Sequence, residues 1–197
     1  MKMNQIVHLD VFTHVRLITG FITSLSIARL LTGLARFVQH PKRETIYPVH
    51  LGWALFLLLY IIYFWWFEIM LARIDVITFE VYAYILFYIV LLFFISTLLF
   101  PDRMDEYKGF EDYFLSCQKW FYGLLASVFF FDVFDSILKG WDYFRSLSGA
   151  YPVQQAALFS LAVAAMFIRD RRFHLAFVGG ALVFQILWIV RHYNVMA

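Results

Sequence analysis

Six stretches of the chain are predominantly apolar over the length that a helix needs to cross a bilayer, about 20 residues, although the first and fourth carry charge within them. They run from Val15 to Val38, His50 to Ala72, Thr78 to Phe100, Asp112 to Leu138, Ala150 to Ile168 and Phe173 to Tyr193. None of them alternates polar with apolar positions every second residue, so the period of a transmembrane strand is missing. Pro101 closes the third run and Gly140 the fourth. Pro152 falls in the first turn of the fifth, where proline is tolerated. The fold expected is all-α: a polytopic integral membrane protein in which residues 1–197 form a single six-transmembrane-helix bundle. Its connections are short, with no soluble domain.

The first run follows a long polar lead and has no small-x-small cleavage site behind it. A retained first helix is expected rather than a removable signal. Trp53, Trp65, Trp66, Trp141 and Trp188 fall near helix ends, as in an interfacial aromatic belt. Trp120 lies deeper, which points to a fourth helix starting later than Asp112.

An even number of crossings puts both termini on one side, here side A. Side B then carries Arg36, Lys42, Arg43, Arg103, Lys108, Lys119, Arg169, Arg171 and Arg172. Side A carries Lys2, Arg16, Arg73, Lys139, Arg145 and Arg191. The richer side B is expected to be cytoplasmic. That orientation gives a protein of the bacterial inner (plasma) membrane with both termini outside. The basic rim would also suit anionic lipid.

Composition narrows the picture. Apolar residues make up 63% of the 197 positions and charged residues 15%, too little polar surface for a soluble domain of this size. A net charge of +2, without basic runs among aromatics, gives no reason to expect a nucleic-acid partner. One cysteine, Cys117, excludes an internal disulfide and a cysteine-based zinc site.

Polar residues inside the runs carry what chemistry there is. Gly20, Ser24 and Ala28 recur every fourth position, a small-residue stripe that lets another helix of this chain or of a second protomer approach closely. Arg29, on the same helix, costs about 2.5–3.5 kcal/mol at mid-membrane and has no acid one turn away, since Leu25 and Gly33 flank it. By helical rise it lies about 13 Å from the side-B end, a depth where no acid matches it. Arg29 therefore either snorkels toward phosphates and carbonyls or lines a wet, anion-attracting vestibule together with Lys119.

Side A is acidic. Glu68, Asp132 and Asp135 lie within a turn or two of that interface. Asp135 and Lys139 are spaced i, i+4 in the favourable order. Glu68 has only Phe64 and Ala72 one turn away, and Arg16 is its expected partner. These residues form either an ion-pair network that fixes helix packing or a proton or cation relay.

His14 and His192 at side A, and His50 and His174 at side B, sit at helix ends rather than at the depth of haem ligands. No metalloprotease, nucleophile-elbow or phosphate-loop motif is present. No cofactor is expected, and enzymatic activity is not the favoured class. The two functional classes that remain are a small ion channel or transporter and a non-transporting accessory subunit. The first would form an oligomer, with Arg29, Lys119, Glu68, Asp132, Asp135 and Arg16 along its pathway. In the second, the same charges only lock helices together within a membrane complex.

Overall fold

Proline, glycine and side-chain caps set the helix ends in the computed structural model, which describes residues 2–40, 46–74, 77–147 and 149–192. Helix α1 covers Lys2–Gln39 and α2 covers Pro48–Phe67, with Pro48 at its start, where a missing N–H is harmless. A 3₁₀ turn, Glu68–Arg73, prolongs α2. Thr78 caps α3 (Phe79–Leu99) by accepting from the backbone of Val81 at 3.5 Å, and Glu80 adds negative charge to the first turn. Pro101 forces Phe100 into an extended conformation and so ends α3. Helix α4 (Phe110–Leu138) stops at Gly140, whose φ of 118° turns the chain into the short α5 (Trp141–Ser146). Helices α6 (Ala150–Ala165) and α7 (Arg171–His192) complete the chain. Lys42, Arg43 and Tyr193, used above for sidedness and for the end of the sixth run, lie outside the described residues.

Among the described residues, five helices are long and apolar enough to cross a membrane: Val11–Gln39, Pro48–Ala72, Phe79–Leu99, Phe110–Leu138 and Arg171–Arg191. The fifth predicted span is shorter than expected. Its helix ends at Ala165 rather than Ile168, and its 16 residues cover about 24 Å. The first helix is longer than expected, beginning at Lys2 rather than Val15.

Helix α1 packs on α3 and α2, α2 on α7, α3 on α4, and α4 on α6. Cross-helix contacts gather the ends of α1, α3 and α6 with the starts of α2, α4 and α7, which is side B of the sequence reading. Between the two ends lies an apolar layer of Trp53, Leu57, Leu92, Phe121, Leu125, Phe129 and Phe177, all buried. Gly33 is part of this fit, because a Cβ there would overlap the Phe100 ring. Phe100 can thus lie against the α1 backbone.

The outer faces are also apolar. Leu17 and Phe21 of α1, Ile62 and Trp66 of α2, Phe94 of α3, Trp120 of α4 and Val183 of α7 are all exposed. A soluble protein scatters such residues singly; here each long helix presents them. One tryptophan departs from the expected belt, and another from the helix start expected of it. Trp53 is fully buried and donates to the Tyr122 hydroxyl at 3.1 Å. Trp120 is exposed well inside α4, which starts at Phe110 and not later than Asp112.

Candidate functional site

One face of α4 carries Asp132, Asp135, Ser136 and Lys139, spaced three or four residues apart so that they stack along the side-A end. Among the described residues no cation pairs with Asp132. Tyr60 of α2 donates to its Oδ1 at 2.6 Å and Tyr88 of α3 at 3.1 Å. Tyr151 of α6 donates to Oδ2 at 2.5 Å, and the Gln155 amide, one turn further along α6, donates to the same oxygen. A carboxylate has about four acceptor sites, and these four groups surround them, with the single Tyr88 proton shared between Asp132 and the nearer Tyr60 hydroxyl. The Tyr60 and Tyr88 hydroxyls also lie 2.7 Å apart, and Ser136 Oγ lies 2.9 Å from the Tyr151 hydroxyl. Three helices are thereby tied to α4 through one half-buried network.

One turn toward the helix end, Lys139 Nζ lies 2.6 Å from Asp135 Oδ2 and 2.9 Å from Glu68 Oε1, and it sits over the Phe64 ring. All three charged side chains are buried. Burial alone would pull the Lys139 ammonium down, but the Asp135 and Glu68 carboxylates override it and hold the group above the ordinary lysine range. Glu68 is fully buried, and neither of its oxygens has an aligned hydrogen bond among the described residues. A cavity of about 60 Å³ adjoins the cluster, lined by Asp132, Asp135, Lys139, Gln154, Gln155, Gln185 and the rings of Tyr63, Tyr143 and Trp188, among others.

The expected pairing of Glu68 with Arg16 is not what the structure contains. Lys139 takes that place, and Arg16 is exposed over the rings of Phe12 and Trp65. The end of α4 reaches the turn after α2, whereas Arg16 lies on the outer side of α1.

At side B the expectation that Arg29 meets no acid is corrected. Its Nη2 donates to Asp102 Oδ1 at 2.5 Å and to the Phe100 carbonyl at 2.7 Å. The depth arithmetic fails because α1 runs past the end of α3, so the α3–α4 connection sits level with Arg29. The Arg29 guanidinium, hydrogen-bonded to Asp102, holds that carboxyl below the usual range. Arg36 adds a bond to the Pro101 carbonyl at 3.0 Å.

Lys119 is exposed and lies over the Phe167 ring, and it does not line the groove beside Arg29. Arg29 instead lines a groove with Phe94, Thr97, Tyr113 and Trp120. Of the small-residue stripe, Gly20 packs against Trp65 of α2, while Ser24 and Ala28 are exposed. The buried face of α1 is Val15, Thr19, Thr23, Ser26 and Leu30.

Side-B helix ends are satisfied by neighbours rather than by their own residues. His50 Nε2 lies 2.5 Å from the Leu99 carbonyl, and Tyr113 donates to the Leu98 carbonyl. Gln118 Nε2 donates to the carbonyls of Ala165 at 2.7 Å and Ile168 at 2.6 Å. His174 Nε2 donates to Ile168 at 2.9 Å, which leaves Nδ1 to accept from the Tyr122 hydroxyl at 2.8 Å. Both buried imidazoles thus serve as helix caps.

Sequence reasoning missed Tyr60, Tyr88, Tyr151 and Gln155, the residues that hold Asp132. A signal was present in the depths. Glu68 and Lys139 meet, so Tyr60, eight residues before Glu68, stands level with Asp132, seven before Lys139.

The chain is, then, all-helical over its described residues, with five helices among them fit to cross a membrane and a polar cluster at one end. No protein-family model, characterised protein or solved structure matches it.

Proposed function

We propose that this is a multi-pass membrane protein that moves a small ion through the side-A cluster. In this reading α6 joins the five longer helices as a sixth, short crossing. Both termini face outward from a bacterial inner membrane, and exposed Arg103, Arg169, Arg171 and Arg172 meet anionic lipid on the cytoplasmic face. The observation that carries it is the imbalance beside the cavity: three carboxylates, Glu68, Asp132 and Asp135, stand with the single ammonium of Lys139. Intramembrane acids of this kind mark ion and proton paths. The apolar layer around Trp53 and Phe121 favours a carrier that opens to one side at a time over a standing pore.

A second reading, an accessory subunit of a membrane complex, has its own support. Ser24 and Ala28 leave a smooth, exposed strip on α1 that suits a partner helix or a second copy.

Flux into proteoliposomes separates them. The transport reading expects ion flux that falls at least tenfold in Asp132→Asn and in Glu68→Gln, with Arg29→Gln unaffected because its guanidinium is committed to Phe100 and Asp102. Absence of flux for every small ion tried would leave the accessory role.

A further inference from the structure

The side-A cavity has surplus acceptors and no counter-charge for Asp132. Gln155 is the informative residue. Its amide nitrogen is committed to Asp132 Oδ2, and flipping the amide would set its oxygen against that anion. Gln155 Oε1 is therefore fixed away from Asp132. The side chain is buried, with 5% of its surface exposed, it lines the cavity, and Oε1 has no hydrogen-bond partner among the described residues. Gln154 Oε1, on the preceding residue and also lining the cavity, is likewise buried and without a hydrogen-bond partner among the described residues. No salt bridge reaches Asp132 among the described residues, and the one ammonium nearby is shared by Glu68 and Asp135.

We propose that this cavity is a binding site for a small monovalent cation, held by the side-chain oxygens of Gln154 and Gln155 in the field of Asp132. The division of labour follows from the hydrogen bonds. Asp132 is enclosed by Tyr60, Tyr88, Tyr151 and Gln155, so it supplies charge rather than a ligand atom. The glutamine carbonyls, being neutral, hold the ion without the permanence of a carboxylate cage. The Trp188 ring on the cavity wall adds an electron-rich face. Size selects the class. A water needs about 10–15 Å³, and a cavity of about 150 Å³ holds benzene. A cavity of about 60 Å³ admits a bare alkali or ammonium ion with a few waters and rejects a quaternary amine. Divalent ions are disfavoured, because among the described residues no three His, Cys, Asp or Glu side chains converge on one point.

The site deepens the transport reading by naming its substrate class, and the two can fail separately. The experiment is thermal unfolding of the purified full chain in detergent, in chlorides of sodium, potassium, ammonium and choline at one ionic strength. The expected result is a midpoint that rises saturably with one of the three small cations and not with choline. Half-saturation should shift at least tenfold in Gln155→Leu and in Asp132→Asn, and stay put in Lys108→Gln, on the side-B loop. If Asp132→Asn does not fold, Gln154→Leu takes its place, because it breaks no hydrogen bond to the network. Equal midpoints in all four salts, or a saturable rise that survives Gln155→Leu and Gln154→Leu together, would overturn the site. Saturable binding without flux in proteoliposomes would remove the transport reading alone, and flux without saturable binding would remove this site alone.

Discussion

Lys139 Nζ stands between Asp135 Oδ2 at 2.6 Å and Glu68 Oε1 at 2.9 Å, and so ties the end of α4 to the turn that follows α2. Removing one partner of a buried ion pair leaves an uncompensated charge and costs about 3–5 kcal/mol. Lys139→Met is therefore expected to be among the most damaging single changes in the chain. Adding Glu68→Gln to Lys139→Met should recover part of the loss, since one orphaned carboxylate disappears. Unfolding of the single and double variants in detergent checks this, and a strictly additive pair would contradict the coupling.

Gly33 is predicted to tolerate no side chain while Phe100 keeps its ring. Gly33→Ala should destabilise by about 1–3 kcal/mol, the usual range for overpacking, because the new methyl overlaps that ring. In a Phe100→Leu background the same change should become milder. Thermal midpoints of the four proteins test it.

Gln118 holds the frayed end of α6 by donating to two carbonyls. Gln118→Leu keeps the volume but leaves the Ala165 carbonyl unpaired, a loss of about 1–3 kcal/mol. Amide exchange over residues 165–170 should speed up while that of α2 is unchanged. Uniform exchange across the chain would show that the cap is dispensable.

Asp102 gives a pH signature. Its folded-state pKa is lowered by Arg29, so its contribution to stability is present above the unfolded value, about 3.9, and is lost as pH falls through the folded value. The difference in midpoint between wild type and Asp102→Asn should be constant from pH 5 to 7, shrink below about pH 4, and be absent in an Arg29→Gln background. A difference that grows on acidification would reverse the assigned sign.

Much of this architecture was legible in the apolar runs, because a helix in a greasy chain announces itself by length alone. Proline at 101 and glycine at 140 end their helices where the sequence says they should. The acids of side A were legible too, as charges with nowhere else to go. Partnership was not. Spacing along one helix shows Asp135 beside Lys139, but which helix brings Glu68 depends on lateral order, and that is written in packing rather than in period. Arg29 was misjudged because α1 outruns α3, so distance from its own end says little about distance from the α3–α4 turn. The tyrosines around Asp132 escaped notice because a phenol reads as apolar or interfacial until its hydroxyl is placed beside an anion. Trp53 escaped for the same reason: an indole near a helix end suggests a belt, and only Tyr122 shows that it points inward.

In the proposed arrangement, where α6 is a sixth crossing, its shortness has a consequence outside the protein. Its 16 residues cover about 24 Å, while a typical hydrocarbon slab is about 30 Å thick. Lipids wrapped around that flank would have to compress, and the mismatch costs a fraction of a kcal/mol for each ångström. With longer helices on the other flanks, the surrounding leaflet would be dented on one side only. Such a dent would draw the protein toward thin bilayers and toward neighbours that share the deformation.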